Sequence, residues 1–182
     1  MSEELGILGR KHIMIDIETL SSRQNAIIIQ IGACSFTFED GIGESFLHNV
    51  DIESCLNAGM HFAKDTYEWW MTQDETVFKS CLNDAKPISE VLHYLNTFIG
   101  KDKKTLVWAQ GSVFDLGILS SAYTLCGINK SWKYFQEMDS RTVFTLLNVR
   151  NDLERKGAVG HHNALNDAIA QAETLIKVFK EN

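Results

Sequence analysis

The chain has 182 residues, a single proline and a hydrophobic fraction of 45%, which suits one folded domain over residues 1–182 and excludes a disordered or linker-divided chain. Its formal charge is −7, from 17 basic and 24 acidic residues, which argues against gripping long nucleic acid through many Lys/Arg–phosphate contacts. No apolar run is long enough to span a bilayer, and the first residues lack the basic and apolar segments of a signal peptide, so no membrane partner is expected.

Residues 12–18 form an apolar run that turns polar at its end, a buried strand leading into a loop over 19–25. Residues 26–38 are β-branched and aromatic and read as a second strand. A turn over 39–43 precedes a third strand at 44–50, so the first three strands form an antiparallel meander. The period then changes. Asp65 is placed to cap a helix over 65–73, and residues 75–82 continue helically after a break. Pro87 suits the first turn of a helix over 88–99, where positions 88, 91, 92, 95, 98 and 99 make an apolar stripe. Residues 105–110 read as a short strand, and 113–126 as a helix ended by Gly127. Asp139 is placed to cap a helix through 149, residues 151–160 read as a charged loop, and 163–180 as a long helix. Strands first, then alternating helix and strand, predict one mixed sheet with helices on its faces. The four cysteines, Cys34, Cys55, Cys81 and Cys126, include no CxxC pair. They read as thiols in a reducing, cytoplasmic setting and not as a zinc knuckle.

Asp16 and Glu18 stand two apart on the first strand, so their side chains point to the same face. Two acids aimed together from an apolar strand repel and are costly to desolvate, and a divalent cation relieves both effects. Asp115 stands in the first turn of a helix that follows a buried strand, and Asp167 in the first turn of the last helix, five residues after His162. Each of these alone is ordinary. Asp-x-Glu is a common strand end, and first-turn acids complement the helix dipole. Converging on one face of a mixed sheet, four carboxylates require cations. Two metals roughly 3.5–4 Å apart would clamp a phosphodiester for attack by water, with His162 as a base near neutrality.

The motifs Asp16-Ile17-Glu18-Thr19-Leu20, Phe114-Asp115 and His162-Asn163-Ala164-Leu165-Asn166-Asp167 resemble those of the DEDDh branch of the DnaQ-like 3′→5′ exonucleases. Within that branch the chain looks most similar to the small bacterial and phage exoribonuclease-like and DexA-related enzymes, over about residues 11–180. The resemblance implies an RNase H-like α/β fold, with a mixed five-stranded sheet, its first three strands antiparallel and helices on both faces. It implies a hydrolase that releases nucleoside 5′-monophosphates from single-stranded RNA or DNA 3′ ends with two divalent ions, Mg²⁺ or Mn²⁺. Asp16 would bridge both ions, Glu18 and Asp167 would complete the site of the ion that activates water, Asp115 would support the second, and His162 would take the proton. Ile17, Thr19, Leu20, Trp70 and Phe114 would contact the terminal nucleotide. Of the adjacent Trp69 and Trp70, one would pack in the core and the other offer a stacking face. Ala109-Gln110 departs from the Gly-Asn of relatives. A homodimer is a further expectation from the resemblance.

Two rival readings exist. One is a nucleic-acid or nucleotide binding module with a relict site, against which stands the retention of all five catalytic residue types. The other is a serine hydrolase using Ser112 with His162 and Asp115, against which stands the lack of a Gly-x-Ser-x-Gly elbow.

Overall fold

The computed structural model describes residues 6–149 and 162–181. Its strands β1 (His12–Thr19), β2 (Ile28–Thr37) and β3 (Gly41–Asn49) are antiparallel neighbours. Strands β4 (Leu106–Ala109) and β5 (Glu137–Asp139) join the other side of β1 in parallel, giving the order β3-β2-β1-β4-β5. The mixed five-stranded sheet with an antiparallel first trio is thus the one expected.

The helices are α1 (Ile52–Asn57), α2 (Lys64–Trp70), α3 (Glu75–Leu82), α4 (Ile88–Ile99), α5 (Ser112–Leu125), α6 (Ser140–Leu146) and α7 (Ala164–Glu181). Being central, β1 is buried on both faces, and its alternation sorts the core in two. Ile13, Ile15 and Ile17 join one cluster with Val91, Leu92 and Leu95 of α4 and Leu116 and Leu119 of α5. Met14 joins the other with Ala168, Ala172 and Leu175 of α7 and Phe144 of α6. Asp16 and Glu18 continue the Met14 side, so both carboxylates emerge on the face that α7 covers.

Several boundaries differ from the expected ones. The third strand begins at Gly41, whose φ of 87° lets the turn end early. Helix α2 starts at Lys64, with Ala63 at its cap and Asp65 within its first turn. Pro87 is the cap of α4 and not a first-turn residue. Asp139 does cap α6, accepting from the N–H groups of Arg141 and Thr142. The short α1 and β5 were not expected from residue pattern. The predicted loop over 151–160 lies outside the described residues.

Candidate active site

β1 and β4 are parallel, so their C-terminal ends open on the same edge of the sheet. Loops leaving that edge are where open α/β sheets hold their ligands. β1 ends with Asp16 and Glu18, β4 leads into α5 with Asp115 in its first turn, and α7 brings Asp167 in its own first turn. Asp16, Glu18 and Asp167 each offer a ligand atom within 4.8 Å of the others.

The close approach of α7 has a local cause. Gly32 of β2 lies opposite Asp16 in the ladder, and a Cβ there would fall on the backbone of Ala164 and Leu165. Only glycine lets the first turn of α7 settle on the sheet at this height. Gln30, opposite Glu18, accepts the N–H of Ala164 at 2.8 Å and so satisfies one open donor at the helix start. Its amide also donates to Asn49 Oδ1, and Asn49 donates to the carbonyls of Ser80 and Asn83. Gly32 and Gln30 were missed in the sequence. The signal for Gly32 was a glycine inside a β-branched strand.

The electrostatics match a site built for cations. Burial, then the charges of Asp115, Glu18 and Asp167, push the Asp16 carboxyl well above the ordinary carboxylate range. Burial and the neighbouring Asp167 and Asp115 raise Glu18 to about 8. Burial raises Asp115 to about 7, against the pull of hydrogen bonds from the Ile17 backbone and its own, and of the Arg141 charge. Gln171, one turn beyond Asp167, donates from Nε2 to Asp16 Oδ1 at 2.9 Å. Acids crowded and buried in this way are pushed toward their neutral forms, a cost that a cation relieves, and their hard oxygens fit Mg²⁺ or Mn²⁺.

His162 stands at the entrance to α7 with φ of 65°, and its N–H donates to Asp167 Oδ2 at 3.2 Å. Its ring meets those of Trp69 and Trp70 at centroid distances of 4.9 and 5.7 Å. The histidine and the last carboxylate are therefore held in one turn, braced by α2.

The residues expected to hold substrate are placed unevenly. Trp70 is 1% exposed and its indole N–H donates to the Thr19 carbonyl, whereas Trp69 is 43% exposed. The available stacking face is therefore that of Trp69, and Trp70 braces the end of β1. Leu20 lies in the core, so it offers no apolar wedge in this arrangement. The Thr19 hydroxyl donates to the Ser21 carbonyl. Ile17 is buried and serves Asp115 through its backbone, as described above. Phe114 is 38% exposed beside Asp115. Ser112 gives both its N–H and its hydroxyl to Asp139 Oδ2, which makes it a helix-start residue and weakens the serine reading.

The same architecture recurs in solved structures. Cell-death related nuclease 4 (CRN-4) superposes with a TM-score of 0.67 at 15% identity, over 97% of this chain and 66% of that one. The chain thus corresponds to just under two thirds of CRN-4. The nuclease domain of 3′hExo, a DEDDh family member bound to rAMP, gives 0.66 at 13% identity over 94% and 92%. S. pombe Pop2p in its Mg²⁺- and Mn²⁺-bound form gives 0.62 at 13% over 92% and 82%. No curated protein matches the chain in sequence. These structural likenesses show a shared fold. The chain belongs to the family of Rv2179c-like 3′-5′ exoribonuclease domains, whose model matches residues 11–179.

Proposed function

We propose that this domain removes nucleotides from the 3′ ends of single-stranded RNA by metal-assisted hydrolysis and releases nucleoside 5′-monophosphates. The observation that supports this most is the convergence of Asp16, Glu18 and Asp167 with Asp115 beside them. The choice of RNA follows the exoribonuclease description of the family and the rAMP held by 3′hExo.

Asp16, Glu18 and Asp167 would hold two divalent ions, with Asp115 completing the set. When bound, such ions supply Lewis-acid stabilisation of the phosphate and lower the pKa of water. His162 would take the proton of the attacking water, since an imidazole switches charge near neutrality. Trp69 and Phe114 would bear on the terminal bases, which stack on any exposed aromatic face regardless of sequence. Free Cys34, Cys55, Cys81 and Cys126 suit a reducing compartment, and no described helix is long and apolar enough to cross a membrane.

The test is a side-by-side digestion of matched RNA and DNA oligonucleotides, single and double stranded, with Mg²⁺ or Mn²⁺. Faster stepwise loss from the 3′ end of single-stranded RNA, with 5′-monophosphate products, is expected. Equal or faster loss of DNA would overturn the RNA choice. No loss from any substrate would overturn the activity.

A further inference from the structure

Gln171 is 6% exposed, and only half of its amide is used. Nε2 donates to Asp16 Oδ1 at 2.9 Å, while Oε1 is buried and no donor among the described residues reaches it. A buried amide with an unmade acceptor is a poor packing element, because the desolvation of that oxygen is never recovered. A methionine or leucine would fill the same space between α7 and β1 without this cost. The amide therefore has a task other than packing, and the one bond it makes defines that task.

Asp16 is surrounded by Asp115, Glu18, Asp167 and Gln171. Its carboxylate neighbours repel it, and among the described residues Gln171 supplies its side-chain hydrogen bond. A donor that fixes one oxygen sets the plane of the carboxylate and the direction of its remaining lone pairs. Metal ligands are commonly oriented this way by a partner behind them. The partner is placed by the helix itself. Gln171 follows Asp167 by four residues, so the helix that supplies one metal-facing acid also steers the other from the same face.

We infer that Gln171 is a positioning residue that orients the Asp16 carboxylate for divalent-metal binding. This rests on the metal-dependent reading given above. The test uses the full-length wild type, Gln171→Met and Gln171→Glu. Mn²⁺ binding is followed by calorimetry without substrate, activity is followed against Mn²⁺ concentration, and melting is followed in EDTA. Gln171→Met is expected to weaken Mn²⁺ binding by about 10–100-fold. Its activity should return toward wild type at high Mn²⁺, with KM for the oligonucleotide unchanged and melting in EDTA unchanged or raised. Gln171→Glu, which adds a fifth acid, should weaken binding of the first ion less than Gln171→Met at high pH but lower turnover at every Mn²⁺ concentration.

A packing role predicts the opposite pattern for Gln171→Met, namely lower melting with unaltered Mn²⁺ affinity, and that result overturns the inference alone. Should Gln171→Met not fold, Gln171→Leu and Gln171→Glu supply the same Mn²⁺ titration. A wild type that binds no Mn²⁺ overturns both the inference and the metal-dependent reading. A wild type that binds Mn²⁺ without digesting any oligonucleotide overturns the nuclease reading and leaves the binding arm to decide on Gln171.

Discussion

Asp16 faces Glu18 on its own strand and Asp167 from α7, and it accepts from Gln171. Asp16→Ala removes the carboxylate on which these groups bear and is expected to reduce exonuclease turnover to background while the fold survives. His162→Ala should slow turnover by about 10²–10⁴-fold at neutral pH, with metal binding retained, as calorimetry would show. The raised carboxyls also make a statement about stability. Glu18 titrates near 8 in the folded chain against 4.5 for its ordinary value, and Asp115 near 7 against 3.8. Between those values the folded chain holds protons that the unfolded chain has lost. Metal-free protein should therefore lose stability as pH rises from about 4.5 to about 8, and gain it on acidification within that window. Mn²⁺ should raise the melting temperature more at pH 8 than at pH 6, because the ion must displace those protons. Melting curves at both pH values, with and without Mn²⁺, check both signs.

The site is assembled by where α7 lands, and that depends on Gly32 and Gln30. Gly32→Ala would drive a methyl group into the backbone of Ala164 and Leu165. We expect a loss of about 1–3 kcal/mol in urea unfolding, together with weakened Mn²⁺ binding because Asp167 moves with its helix. Gln30→Leu leaves the Ala164 N–H buried and unpaired, for a further estimate of about 1–3 kcal/mol. These contacts also mark the limit of what the chain reveals on reading. Asp16, Glu18, Asp115, His162 and Asp167 are each ordinary alone and stood out in the sequence only as a set of motifs in order along the chain. Helices α4 and α7 were legible from their apolar stripes, β1 and β2 from their apolar and β-branched composition, and α5 from the glycine that ends it. Strand β5 has three partly buried residues, Glu137–Asp139, and gains its pairing only from β4, so no local pattern announces it. Gln30 and Gln171 look like ordinary polar residues. Their partners lie 134 and 155 positions away, so only the fold assigns them a role. Of the tryptophan pair, Trp70 was expected at the substrate, but its burial and its bond to the Thr19 carbonyl leave Trp69 as the exposed ring.

A formal charge of −7 disfavours nucleic acid, but four of the 24 acidic residues belong to the carboxylate cluster. Two dications would bring the charge to about −3 and concentrate the positive charge at one phosphate. Such a protein should hold a few nucleotides at a 3′ end and little long duplex. RNA binding by the metal-loaded protein should vary shallowly with salt, with a slope of fewer than about six released counter-ions, and a steeper slope would contradict a small footprint. On the proposed function, the carboxylate cluster is a metal-dependent hydrolytic centre. Its most direct test is the rate of shortening of a 5′-labelled single-stranded RNA by wild type and Asp16→Ala across a Mn²⁺ titration that starts in EDTA. No shortening in EDTA, a rise with Mn²⁺ for wild type, and background for Asp16→Ala throughout are expected. Equal shortening by the two proteins, or full activity in EDTA, would contradict this reading.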